Sequence, residues 1–87
     1  MAKLRYKWDK SKSIKFTGYA ASGVYNHYLN YRSGKYFEVK AFAENKVLAG
    51  YKLYYAEQEP YKAPTVYKEI GTFKTALEAK HHAESLI

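Results

Sequence analysis

Lys3-Leu4-Arg5-Tyr6-Lys7-Trp8 alternates without a break, with Leu4, Tyr6 and Trp8 on one side and Lys3, Arg5 and Lys7 on the other. A period of two is that of a half-buried strand, so residues 3–8 are read as a strand with a cationic outer row. Residues 9–13 read as a polar turn. Ile14 and Phe16 resume the inward pattern, which gives a hairpin. Residues 18–23 break the period, because small side chains between two glycines mark a bend or a bulge. Residues 24–32 fit a strand with Tyr25, His27, Leu29 and Tyr31 in one row. As a helix they would instead show a stripe of Val24, Tyr28 and Tyr31, and the tyrosine and valine content favours the strand. Ser33-Gly34 is a hairpin turn. Residues 35–43 follow as a strand, with Phe37, Val39 and Ala41 opposed to Tyr36, Glu38, Lys40 and Phe42. After the turn Glu44-Asn45-Lys46, residues 47–56 form the longest strand, and Gly50 marks a bulge. Residues 57–64 hold both prolines and are a connecting loop that carries Tyr61 and Lys62. Residues 65–70 make a short last strand.

The chain then changes period. Gly71 ends the strand pattern, and Thr75 stands three residues before Glu78, the spacing of a capping box. A helix over residues 76–86 puts Ala76, Ala79, Ala83 and Leu86 on one face, flanked by Leu77 and Ile87. A mostly alanine face lets a helix lie close to what it covers, and what precedes it is strand. The expected fold is α+β: one domain over residues 1–87, an antiparallel sheet of five or six strands with one C-terminal helix packed on one face. The expected core is Leu4, Tyr6, Trp8, Ile14, Phe16, Val39, Leu53, Ile70, Phe73, Leu77, Ala79 and Ala83.

Composition narrows the function classes. With 87 residues and no cysteine, neither a disulfide nor a thiolate zinc site reinforces the domain. No apolar run approaches the roughly 18–20 residues that span a bilayer, and the basic N-terminus is followed by no apolar segment of a secretory signal. The expected location is the cytoplasm. His81 and His82 are adjacent, so a regular helix aims them about 100° apart and they cannot share a metal. His27 has no ligand spacing to either. Ser22, His27 and a carboxylate show no spacing of a triad, and Glu57 and Glu59 lie together on the proline loop with nothing to split their pKa values. The expectation is no catalytic residue, no metal and no cofactor.

What remains is charge and tyrosine. The chain carries a formal charge of +7 and eleven tyrosines. Residues 1–55 hold eleven Lys/Arg against three Asp/Glu, an excess of +8, whereas residues 56–87 are at −1. Cationic side chains attract phosphates without reading sequence, and tyrosine rings stack on unpaired bases. The interleaved set is Lys35, Tyr36, Lys40, Lys52 and Tyr54, extended by Lys3, Arg5 and Lys7 if the first hairpin continues the same surface. The same row also fits a solvated face that protects a sheet edge. The expected partner is nucleic acid or a nucleoprotein complex. Tyrosine and arginine also suit protein interfaces, so an acidic host protein is the alternative partner, and an exposed edge strand would allow a homodimer.

Gly71-Thr72-Phe73-Lys74-Thr75-Ala76-Leu77-Glu78-Ala79-Lys80 resembles the strand-to-helix joint of the arm-type DNA-binding domains of phage tyrosine integrases. That resemblance implies a sheet that enters DNA. Phe37-Glu38-Val39-Lys40 with Glu78-Ala79-Lys80 and Ala83 is similar to a double-stranded-RNA-binding domain. The chain departs from that family in having Ala76 and Leu77 where lysines begin the last helix, which leaves Lys80 as the match. A compact, basic, tyrosine-rich chain with an N-terminal Trp hairpin and a Gly-x-Phe-x-Thr ending also resembles small bacteriophage accessory proteins. This last resemblance implies a binder in the host cytoplasm, including an inhibitor of the anti-CRISPR kind.

Overall fold

The structure, a computed structural model, describes residues 3–12, 24–45, 47–57 and 66–87. Five strands, β1 (Asp9–Lys12), β2 (Tyr25–Arg32), β3 (Lys35–Glu44), β4 (Val47–Glu57) and β5 (Val66–Phe73), precede one helix, α1 (Ala76–Ser85). Each strand pairs antiparallel with the next, in the order β1-β2-β3-β4-β5. The α+β architecture expected from the pattern is the one observed. Its tight turns use residues that accept a left-handed backbone: Gly34 at φ 74° and Asn45 at φ 51°.

Strand alternation divides the side chains between two faces. Leu29, Phe37, Val39 and Leu53 share the face on which α1 lies, and with Ala79 and Ala83 they form the buried core. Ala79 and Ala83 are fully buried, so the alanine face does allow close approach. The Thr75 hydroxyl accepts from the Glu78 amide at 3.1 Å. That is the half of the capping box that forms among the described residues.

Three register shifts interrupt the ladders. Asn30 pairs with Tyr36 and Arg32 with Lys35, which leaves Tyr31 extra on β2. Phe42 pairs with Gly50 and Ala43 with Leu48, which leaves Ala49 extra on β4, beside the glycine that marked a bulge. Leu53 pairs with Gly71 and Tyr54 with Glu69, which leaves Ile70 extra on β5. An extra residue of this kind re-aims a side chain and increases local twist.

The N-terminal segment differs from the expectation. Residues 3–8 are not a strand, and β1 occupies positions read as a turn. The amides of both Arg5 and Tyr6 donate to the carboxylate of Glu84, at 2.6 and 3.1 Å. Consecutive amides turned to one acceptor are incompatible with a ladder, where successive amides point opposite ways. Tyr6 is consequently exposed rather than buried, and Leu77 on the helix is exposed as well. Leu29 and Phe37 are core residues absent from the expected set. β5 runs on through Phe73 instead of ending at Gly71. Ile14, Phe16, the glycine segment 18–23, Tyr61 and Lys62 lie outside the described residues.

Candidate nucleic-acid interface

The eight residues singled out by charge and tyrosine spacing fall in three places. Tyr36, Lys40, Lys52 and Tyr54 share the sheet face opposite α1, by register and alternation. Lys35 lies on the other face, two positions from Phe37 on β3. Lys3, Arg5 and Lys7 belong to the N-terminal segment rather than to a strand that extends the sheet.

The sheet face opposite the helix is aromatic and cationic, but its lysines are neutralised. Lys40 lies 3.3 Å from the Glu38 carboxylate, and Lys52 lies 3.4 Å from that of Glu69. Lys40 also sits over the rings of Tyr54 and Tyr67, at 5.6 and 5.3 Å, and Lys52 over Phe42 at 5.3 Å. Tyr36 is buried, its ring edge-on to Tyr67 and its hydroxyl 3.0 Å from the Tyr67 hydroxyl. Burial, with that hydrogen bond, pushes the Tyr36 phenol well above its ordinary range. Tyr36 is therefore a support for Tyr67 and not a stacking platform. Lys35 lies 4.0 Å from Glu57.

The N-terminal region has the opposite balance. Residues 1–12 hold five Lys/Arg against Asp9 alone. Among the described residues no carboxylate lies within ion-pair distance of Lys3, Lys7, Lys10 or Lys80. The field of this cluster is legible in its neighbours. Burial, then the charges of Lys80 and Lys10, lowers His27 to about 4. Burial and the charge of Lys10 lower Lys80. Burial is the larger cause of both shifts, and the charge of Lys10 adds to each in the same direction.

Glu84 fixes this cluster on the helix. It is buried, and besides the amides of Arg5 and Tyr6 it accepts the Trp8 indole N–H at 3.0 Å. The Arg5 guanidinium donates to the Glu84 carbonyl in the last helical turn, where a cation also suits the helix dipole. Burial raises the pKa of the Glu84 carboxyl, but the hydrogen bonds from Arg5, Trp8 and Tyr6 and the Arg5 charge outweigh it and hold the group below the usual range. A cleft of about 320 Å³ opens here between Lys3, Arg5, His81, Glu84 and Ser85. The His81 Nε2 beside it is buried with no hydrogen-bond partner among the described residues.

Lys10, Lys80 and His81 were absent from the expected set. Lys80 carried one signal, as the residue shared with the RNA-binding family, but its proximity to Lys10 depends on how α1 crosses the sheet. Among the described residues no three histidine or acidic side chains come together to hold a metal ion. No described helix is long and apolar enough to cross a membrane. No family model matches the chain, and no curated protein and no solved structure matches it either.

Proposed function

We propose that this chain is a non-catalytic nucleic-acid-binding protein that meets the phosphate backbone with its N-terminal segment, Lys10 and Lys80. The observation that carries the reading is the contrast in charge pairing. Lys35, Lys40 and Lys52 each have a glutamate within 4.0 Å, whereas Lys3, Lys7, Lys10 and Lys80 have none among the described residues. A cation already held by a carboxylate gains little from a phosphate. An unpaired one gains the attraction and releases the counterions condensed on the nucleic acid.

Fluorescence anisotropy with single-stranded DNA, duplex DNA and RNA over a salt series tests it. A Lys3/Lys7/Lys10→Ala variant should reduce the slope of log K against log salt by about 2 on a single strand, at roughly 0.7 for each phosphate that a lysine no longer neutralises. A Lys40/Lys52→Ala variant should leave that slope nearly unchanged. Absence of binding at low salt would remove the reading.

A second reading, a phage-type inhibitor of a host protein or ribonucleoprotein complex, is favoured by the first residues of β4. There Val47 is 67% exposed and Leu48 37% exposed, and side chains of this kind suit a protein interface. Under that reading Val47→Lys, and not the lysine substitutions, removes binding to the partner.

A further inference from the structure

On the helix side of the sheet, α1 does not reach the end formed by the β2–β3 turn and the start of β5. A cleft of about 520 Å³ remains there, bounded by Tyr31, Phe37, Tyr55 and residues 68–70 of β5 on the sheet and by Leu86 at the end of the helix. This volume lies within the ~300–1,000 Å³ of small-ligand clefts. Three observations give it a built character. Tyr31 stacks on Phe37 with centroids 5.4 Å apart and planes 24° from parallel, and Phe37 meets Tyr55 at 5.4 Å, so three strands contribute one continuous aromatic wall. Two of the lining residues, Tyr31 and Ile70, are the extra residues of the bulges on β2 and β5. Both bulges therefore lie in the lining of the cleft, where they increase the local twist of the sheet. Lys68 and Glu69 both line the rim, and Arg32 stands at the adjoining turn; among the described residues neither Lys68 nor Arg32 has a carboxylate within ion-pair distance, whereas Lys35 is paired with Glu57. Glu69 is engaged by Lys52, and Glu57 accepts the Tyr55 hydroxyl at 2.8 Å.

We propose that this cleft receives one unpaired nucleobase of a single strand, stacked on the half-buried rings of Tyr31 and Tyr55 with the buried Phe37 behind them, and with its phosphates on Lys68 and Arg32. The proposal rests on the nucleic-acid reading above and adds single-strand capture to it. The apolar walls suit a flat ring, and Lys68 and Arg32 suit the charge that such a ring carries on its backbone. The C-terminal end of α1, the negative end of the helix dipole, closes the cleft at Leu86. It therefore favours a neutral base inside and leaves phosphates to the rim. The contacts of both tyrosine rings with Phe37 hold the wall in place before a base arrives.

The test compares a single-stranded oligonucleotide with an abasic strand of equal length, which keeps every phosphate and lacks the bases. The base-bearing strand should bind roughly 5- to 150-fold more tightly, the range of stacking one base on an aromatic side chain. Tyr55→Leu should abolish that preference while preserving the salt slope. Tyr54→Leu, its neighbour on the opposite face, should leave the preference intact. Leu86→Glu, at an exposed position that folding tolerates, provides a second variant and should bring the base-bearing strand down toward the abasic one. Equal binding of the two wild-type strands overturns the cleft proposal and leaves backbone binding standing, as does a preference lost in Tyr54→Leu and kept in Tyr55→Leu. No binding of either strand overturns both.

Discussion

The indole N–H of Trp8 donates to the Glu84 carboxylate at 3.0 Å, across 76 positions of sequence. This contact, with the amides of Arg5 and Tyr6 on the same carboxylate, ties the N-terminal segment to the last turn of the helix. It holds Lys3 beside His81 and Ser85 without neutralising it. The buried anion directs its hydrogen-bonding capacity mainly to neutral N–H groups and leaves the lysine side chains to solvent.

Removing the acceptor should release the segment. Glu84→Ala orphans three donors, and a buried unsatisfied donor costs about 1–3 kcal/mol, less where water can enter. A total loss of about 2–3 kcal/mol is expected, read as a lower urea midpoint with Trp8 emission shifted to the red in the native baseline. Glu84→Gln keeps one oxygen acceptor and should lose about half as much. An unshifted Trp8 spectrum in Glu84→Ala would show that the segment is held by something else.

Acid should have the same effect on the wild type. The carboxyl of Glu84 is held below its ordinary value, so the unfolded state binds the proton more readily than the folded one. Its contribution is complete above the ordinary glutamate range of about 4.3 and is lost as pH falls through the lower folded value. Trp8 emission followed from pH 6 to pH 2 should shift in that acid limb, and the shift should be missing in Glu84→Gln.

Much of the sheet was legible because hydrophobic alternation and turn chemistry agreed along residues 24–56. Val39, Leu53, Ala79 and Ala83 were placed in the core by spacing alone, and all four are buried. The N-terminal segment shows where that logic ends. Lys3-Leu4-Arg5-Tyr6-Lys7-Trp8 has a strand's period, but a period records only which side chains could share a face. The buried Glu84 decides the backbone there, and it reads in sequence as an ordinary charged helix position. The charge of residues 1–55 was legible too, but its neutralisation was not. Glu69 reaches Lys52 through the pairing of β4 with β5, where the bulge at Ile70 shifts the register by one. The aromatic cleft was legible only in part: alternation put Tyr31 in the row of Leu29, but that α1 leaves this end of the sheet open depends on how the helix crosses it.

Gly50 should tolerate no side chain. A Cβ there would stand 2.8 Å from the Phe73 carbonyl oxygen and 3.2 Å from the Phe42 ring. Backbone oxygen cannot move aside without disturbing the pairing of β4 with β5. Gly50→Ala should therefore destabilise by about 1–3 kcal/mol, measured by chemical denaturation. Gly71→Ala is the control, because its nearest contacts are ordinary ones at 3.5 and 3.6 Å to the Phe73 ring. Equal stability of the two variants would mean that the strands separate at Gly50 in solution.

His27 offers a reporter of where phosphate sits. Burial and the charges of Lys80 and Lys10 hold it at about 4, against an ordinary value of 6.5. A phosphate on Lys10 and Lys80 cancels part of that field, and the imidazolium becomes easier to form. In the saturated complex with a single-stranded oligonucleotide the His27 pKa should rise toward 6.5, followed by the imidazole proton shifts in an NMR titration. The sign for binding follows by linkage: the complex takes up a proton that the free protein does not hold, so affinity should increase as pH falls from about 6.5 toward about 4. In the free protein the same group acts the other way on stability. The unfolded chain protonates first, so stability declines over the same interval as pH falls. An unmoved His27 in a saturated complex would place the nucleic acid away from Lys10 and Lys80, even if the salt dependence of binding were as expected.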